Sequence, residues 1–197
     1  HQALINQGVV NAPNSAKGRL LHAAATLFKE KGYERTTVRD LGKAVGIQSG
    51  SLFHHYPNKE AILRSVMEET IILNTELMKA ALAQTTKSED KVLALIRCEL
   101  ESVLGETGAA MTVLVYEWRS LKEESQQDIL KLRDIYENLW ISTLSDAKEA
   151  GSVVIDPAVL RRLLTGALSW TINWYRQGGD LTIEQLAQMA LSLAIKP

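Results

Sequence analysis

The stretch GIQSGSLFHHYPNKE, from Gly46 to Glu60, gathers side chains that can do chemistry: two serines, two adjacent histidines, an aromatic pair and a lysine just past a proline. Three uses compete for such a set. A metal centre needs ligands that converge, and successive residues of a helix point about 100° apart, so His54 and His55 do not share an ion. Neither has a third ligand four residues away, and no metal ligands are assigned. Ser49 or Ser51 could serve as nucleophile with either histidine as base, yet nothing in so polar a segment would exclude water or orient the base. No catalytic residue is assigned. The third use is contact with a nucleic acid. Ser49, Gly50 and Ser51 leave the first turn of a short helix almost bare, which lets its backbone approach a partner closely, and a helix N-terminus attracts anions. Serine and histidine can reach base edges or phosphates in a major groove. Leu52 and Tyr56, four apart, fall on the core-facing side. Lys59 could hold a phosphate where the next helix begins, and Thr37 and Arg39 could do so from the other side. The candidate DNA contacts are therefore Thr37, Arg39, Gln48, Ser49, Gly50, Ser51, Phe53, His54, His55 and Lys59.

A short helix must be held by others, because helices under about 12 residues are marginal alone. In SAKGRLLHAAATLFKEKGY, Leu20, Ala24, Leu27 and Phe28 share one face, with Ser15 as N-cap and Gly32 as stop. TTVRDLGKAVG opens with Thr37 three residues before Asp40, close to a capping box, and ends at Gly46. SGSLFHHY predicts a second short helix stopped by Pro57, and Asn58 then caps a long helix to about Ala83. Leu41, Val45, Ile47, Leu52 and Tyr56 must pack on the first helix. This order is a helix-turn-helix. Five further helices follow: one from an N-cap at Ser88, one apolar on nearly every side and so expected to be buried (GAAMTVLVYEWRSL), a long one ending at Gly151, one from Pro157 to a double glycine, and one opened by Thr182 and Gln185 at capping-box spacing. Apolar residues recur at helical spacing almost throughout, so the expected fold is all-α: a three-helix head plus a C-terminal bundle, about nine helices in all.

Composition narrows the class. With 197 residues, 46% hydrophobic and 23% charged, the chain can bury a real core. Its net charge of −1 gives no bulk case for a polyanion. The distribution does. Residues 15–64 carry nine Lys and Arg against four Asp and Glu (+5), and the remainder thirteen against nineteen (−6). A single cysteine, Cys98, excludes an intramolecular disulfide and a thiolate metal cage, and no cofactor is expected. As the only thiol nucleophile it has no evident histidine partner, so an enzyme is not expected. No run of 18 apolar residues points to a membrane span, and the start, HQALINQGVVNAPNS, lacks the features of a signal peptide. Residues 1–14 are expected to form a flexible arm, trimmed or tag-derived given the initial His1, and the location is expected to be cytoplasmic. Residues 15–64 are the DNA-binding domain and 65–197 a ligand-binding and dimerisation domain.

The segment GRLLHAAATLFKEKGYERTTVRDLGKAVGIQSGSLFHHYPNKEAIL resembles the DNA-binding domain of the TetR family of transcriptional regulators, from Arg19 to Leu63 nearly without a gap. The resemblance implies an all-helical homodimer that binds a palindromic operator, usually as a repressor. Its contact positions fall on Thr37, Ser49, Gly50, Ser51, Phe53, His54, His55 and Lys59. Where the family usually has a tyrosine this chain has Phe53, which can pack on sugar or a thymine methyl and has no hydroxyl for a phosphate.

In the body, Trp118, Trp140, Trp170 and Trp174 with Met67, Met78 and Met111 either fill a helical core or line an adaptable apolar pocket. Trp170 and Trp174, four apart, extend a stripe through Leu163 and Ala167. Leu186, Met189, Ala190 and Leu193 make another, and the two last helices (about 156–195) suit a two-fold interface. YEWRSL and WTINWYRQGGDLTIEQLA are similar to the body of a TetR subgroup that responds to acyl-CoA thioesters. The implied inducer is an acyl group in the bundle, with its phosphates held by basic groups; Arg119, Arg176 and Arg97 are candidates, each also explained as a surface ion pair. The candidate ligand residues are Met67, Met111, Trp118, Arg119, Trp140, Trp170, Trp174 and Arg176. The expected function is a repressor released from its operator by an apolar inducer such as an acyl-CoA. The alternatives are a regulator of an efflux or stress gene with another hydrophobic inducer, and a ligand-free helical adaptor dimer.

Overall fold

The computed structural model describes residues 2–196; His1 and Pro197, the outermost residues of the expected arm and body, lie outside them. The described residues form ten α-helices and two single 3-10 turns, with no strand. The helices are α1 (Gln2–Asn6), α2 (Ala16–Lys31), α3 (Val38–Val45), α4 (Ser49–Leu52), α5 (Lys59–Ala83), α6 (Ser88–Leu104), α7 (Gly108–Tyr116), α8 (Glu123–Glu149), α9 (Pro157–Trp170) and α10 (Ile183–Ala194). The nine expected helices are α2 to α10. The tenth, α1, lies in the segment read as an arm. That segment has anchors the reading missed: Val10 is buried, and the Asn11 backbone and side-chain amides both donate to the Glu69 carboxylate. Gly18 makes room for it, since a Cβ there would meet the Ala12 carbonyl oxygen at 2.0 Å.

Local chemistry explains most helix ends. Ser15 accepts from the Gly18 N–H, and Gly32 closes α2 at φ +84°. Thr37 with Asp40, and Thr182 with Gln185, form complete capping boxes. The Asn58 side chain accepts from the Ala61 N–H at 2.8 Å. Asp156 caps α9 with Pro157 at its first position. Ser88 is a correction: it is the first helical residue, and the N-cap, Lys87, makes no side-chain cap bond. A second concerns α9, which stops at Trp170 instead of running to the double glycine. Thr171 and Asn173 donate side-chain hydrogen bonds to the carbonyls of Leu168 and Trp170, and the chain tightens into a 3-10 turn.

Two compact units emerge, and the boundary expected between residues 64 and 65 falls inside the continuous helix α5. One unit takes the residues up to Leu73 with Ala109–Arg133. In it α3 packs on α2 and α4 on α3, burying Leu20, Leu21, Ala24, Phe28, Leu41, Leu52 and Tyr56. Val45 and Leu27 are only half-buried and Ile47 is exposed, so three expected core positions are peripheral. Helix α7, expected to be buried, turns Val115 and Tyr116 to the surface. The other unit takes Asn74–Gly108 and the residues from Asp134 onwards. Here α10 packs on α6 and α9, and α6 on α9, around Leu95, Ile96, Leu100, Trp140, Leu164 and Leu168.

Candidate nucleic-acid interface

The turn between α3 and α4 depends on two glycines. Gly46 adopts φ +73°, a left-handed conformation that closes α3. Gly42, inside α3, has its backbone against the turn: a Cβ would lie 2.8 Å from the Ile47 carbonyl oxygen and 3.2 Å from the Ser49 nitrogen. The Ile47 N–H donates back to the Gly42 carbonyl at 2.9 Å. Gly42 therefore sets how closely α4 follows α3, and the sequence reading missed it.

Helix α4 is a single turn, Ser49–Leu52, where a helix through Tyr56 was expected. Phe53, His54 and His55 continue as tight turns whose N–H groups reach the carbonyls of Gly50, Ser51 and Leu52. Pro57 disfavours helical backbone at Tyr56, which accounts for the early end. Gln48, Ser49, Gly50, Phe53, His54 and His55 are exposed and Ser51 is half-buried, while Leu52 and Tyr56 face inward. A Cβ on Gly50 would meet nothing within 4 Å, so the fold leaves that position open. The result is a bare helix start followed by one exposed aromatic and two imidazoles.

Thr37 and Arg39, both exposed, start α3. The Thr37 hydroxyl and backbone N–H engage Asp40, and the Thr37 backbone bond, then its side-chain bond, hold the Asp40 carboxyl below its usual range. Arg39 has no ion pair among the described residues. Lys59 differs from expectation. Its ammonium donates to the carbonyls of Tyr33 (2.8 Å) and Thr36 (3.0 Å) and lies 4.1 Å from the Tyr33 ring centroid. It clips the end of α2 to the start of α5 and is not a free cation. Burial first, then Glu60, push the Tyr33 phenol up to about 12. Glu117 was also missed: its carboxylate accepts from the Tyr33 N–H at 3.0 Å, fastening the start of the 3-10 turn Trp118–Ser120 to the loop before α3. Arg64 likewise bonds Asp128 at 3.0 Å.

The eight ligand candidates do not gather in one unit. Met67, Met111, Trp118 and Arg119 belong to the first; Trp140, Trp170, Trp174 and Arg176 belong to the second. Met67 and Trp140 are fully buried. Arg119 and Arg176 are exposed. Trp118 is half-buried with the Arg133 guanidinium 5.7 Å from its ring centroid. Trp170 and Trp174, expected on one helix face, straddle the end of α9 and are 67% and 49% exposed. Arg97 is held in a two-bond pair with Glu184 at 2.6 and 2.9 Å. The second unit contains instead a buried polar cluster that the sequence did not reveal. Glu99 accepts from the Tyr136 hydroxyl (2.5 Å) and the Trp140 indole N–H (3.1 Å), and Arg161 bonds Glu137 through two nitrogens, both at 2.8 Å. Burial, then the Glu99 charge, push the Tyr136 phenol well above its usual range, so it stays a donor. On amphipathic helices such charged residues read as solvated, and their partners lie tens of residues away.

Residues 20–66 match the family of bacterial regulatory proteins, tetR family, and residues 85–197 match the tetracyclin repressor-like C-terminal domain. The HTH-type transcriptional repressor KstR2 of Rhodococcus jostii strain RHA1 is 31% identical over 183 residues, 89% of this chain and 87% of that protein. The structure of the ketosteroid transcriptional regulator KstR2 of Mycobacterium tuberculosis is similar with a TM-score of 0.84 at 26% identity, covering 96% of this chain and 100% of that one. The crystal structure of superantigen pfit gives a TM-score of 0.87 at 52% identity, covering 100% and 97%. AibR in complex with isovaleryl coenzyme A and operator DNA shares the fold, with a TM-score of 0.83 at 23% identity, covering 93% and 100%.

Proposed function

Because the chain belongs to the tetR family of bacterial regulatory proteins, we propose that it acts as a homodimeric repressor, released from a palindromic operator by an apolar inducer of the acyl-CoA type. DNA-binding regulation is the family's activity; the dimer, the operator symmetry and the inducer are our reading. The observation that carries it is the bare, exposed first turn of α4, held against α3 by Gly42 and followed by Phe53, His54 and His55. Such a turn can enter a major groove, with its N–H groups and serines at phosphates or bases. The DNA-binding role is assigned to residues 15–64, and dimerisation and ligand binding to 65–197.

The dimer face is drawn from α9 and α10, whose Leu163, Trp170, Met189 and Leu193 are exposed. Two copies related by two-fold symmetry suit two half-sites about 34–36 Å or a longer multiple apart. No helix of the described residues is long and apolar enough to cross a membrane, and we place the protein in the cytoplasm. An inducer must prefer the DNA-incompetent state, since tight binding alone shifts nothing. The acyl-CoA class is supported by the subgroup resemblance of residues 116–121 and 170–187 and by the ligand of AibR. A regulator released by another hydrophobic molecule fits the same geometry.

The test is fluorescence anisotropy on DNA from upstream of the protein's own coding region, at fixed salt, with and without decanoyl-CoA. Selective binding released by the thioester supports the whole reading. Selective binding that ignores it keeps the regulator and discards the inducer class. Absence of selective binding there would leave the operator elsewhere and reopen the ligand-free adaptor dimer.

A further inference from the structure

The buried cluster of the second unit has one donor that the chain does not use. Arg161 projects from α9 with its side chain 5% exposed. Its Nε and Nη2 atoms bond the two Glu137 oxygens, and Nη2 also lies 3.5 Å from a Glu99 oxygen. Its guanidinium sits 4.4 Å from the Trp140 ring centroid and 5.9 Å from that of Tyr136. The Nη1 atom is buried and has no hydrogen-bond partner, and among the described residues it is the one buried side-chain nitrogen or oxygen in that position. A buried guanidinium N–H without an acceptor is costly, and native interiors rarely tolerate one. An oxygen from outside the chain, of a ligand or a water, would satisfy it.

Charge decides what kind. One guanidinium faces two carboxylates, Glu99 and Glu137, so the cluster already carries an excess of one negative charge. The Glu99 side chain is 5% exposed and that of Glu137 42%, so a carboxylate or phosphate at the buried Nη1 would place a second anion beside Glu99 in a low-dielectric interior. A neutral oxygen adds no charge and still accepts the bond. The surroundings are apolar: Trp140 is fully buried, and Leu160 and Leu164 flank Arg161 along α9 and are buried too. We propose that Arg161 Nη1 recognises a neutral carbonyl oxygen, of a thioester or ketone, on an apolar effector bound within the second unit. The site deepens the inducer reading and rests on it. It also places recognition at the carbonyl and assigns the phosphates of any coenzyme A elsewhere.

The experiment compares matched probes that differ only in the carbonyl. The full chain is titrated by calorimetry with decanoyl-CoA and with S-decyl-CoA, the thioether that lacks the oxygen, and then with 2-nonanone and nonane. A hydrogen bond to a charged donor is worth about tenfold to a hundredfold in affinity, so each carbonyl probe should bind more tightly than its partner by that factor. Arg161→Lys keeps the charge beside Glu137 and removes Nη1; the preference should then fall to about one. The wild-type comparison stands even if that variant, checked by circular dichroism, fails to fold. A preference for the ketone with no binding of either coenzyme A compound supports the Arg161 site and sinks the acyl-CoA reading. Equal affinity within both pairs, or no binding of any carbonyl probe, overturns the proposal and leaves Nη1 to a buried water.

Discussion

Lys59 and Arg39 carry the same charge in opposite surroundings. The Lys59 ammonium is held by the Tyr33 and Thr36 carbonyls and by the Tyr33 ring, whereas Arg39 is exposed at the start of α3. A cation that neutralises a phosphate releases counterions, and each such contact adds about 0.9 to the slope of log affinity against log salt. Arg39→Ala should therefore lower that slope by about two for the dimer on its full operator, one contact from each protomer, and leave the melting temperature nearly unchanged. Lys59→Met should leave the slope alone and lower the unfolding free energy by about 2 kcal/mol, the scale of hydrogen bonds to a charged group. Salt titrations by anisotropy and urea unfolding of both variants check the pair; a slope lost with Lys59 would return it to the DNA. Cys98 poses a separate question at this scale. Burial first, then Glu101, push its thiol up to about 11. The raised value means the reactive thiolate is scarce below that pH and grows as pH rises through it. At pH 8 iodoacetamide should modify Cys98 about a hundredfold more slowly than a free cysteine, whose pKa is about 8.5. Complete labelling at the free-cysteine rate would revive a thiol enzyme.

At the scale of elements, two glycines in one helix-turn-helix separate folding from recognition. Gly42→Ala drives a Cβ against the Ile47 carbonyl, a backbone atom with little freedom to retreat. It should cost about 1–3 kcal/mol of stability and displace α4, abolishing operator binding. Gly50→Ala enters open space. It should leave stability unchanged or raise it by up to about 1 kcal/mol, because alanine favours helix over glycine, yet weaken binding if the backbone closes on DNA there. Thermal melts read beside anisotropy separate the two, and equal operator affinity for wild type and Gly50→Ala would remove close backbone approach from the account. The same elements show what could be read in advance. The capping pairs Thr37–Asp40 and Thr182–Gln185 were legible because two residues three positions apart decide each. The bare start of α4 was legible in the same local way. The shortness of α4 and the stop of α9 at Trp170 depend on competition between local bonds, which apolar spacing does not report. Glu117, Lys59 and the Glu99–Arg161 cluster were not legible, because each acts on a group contributed by a distant segment.

For the whole molecule, the question is what covers the outer side of α9 and α10. Leu160, Leu164 and Leu168 point into the second unit, while Val159, Leu163 and Trp170, at spacings of four and seven, share the opposite side of α9. On α10, Leu186 and Ala190, expected in an interface stripe, turn inward, and Met189 and Leu193 remain outside. A helix whose second side is also apolar is suited to burial against a partner, and Leu193 at 76% exposure fits the proposed two-fold face. Leu163→Glu combined with Leu193→Glu leaves the inward leucines untouched, so helicity by circular dichroism should persist. Four carboxylates would then face one another across a two-fold axis, and sedimentation should report a monomer. Operator affinity should fall at least about a hundredfold, because the second half-site would no longer benefit from the effective concentration that linkage to the first provides. A variant that stays dimeric would move the interface to another surface, such as that bearing Val115 and Tyr116. A monomer that binds the full operator as tightly as wild type would instead remove the requirement for two-fold recognition.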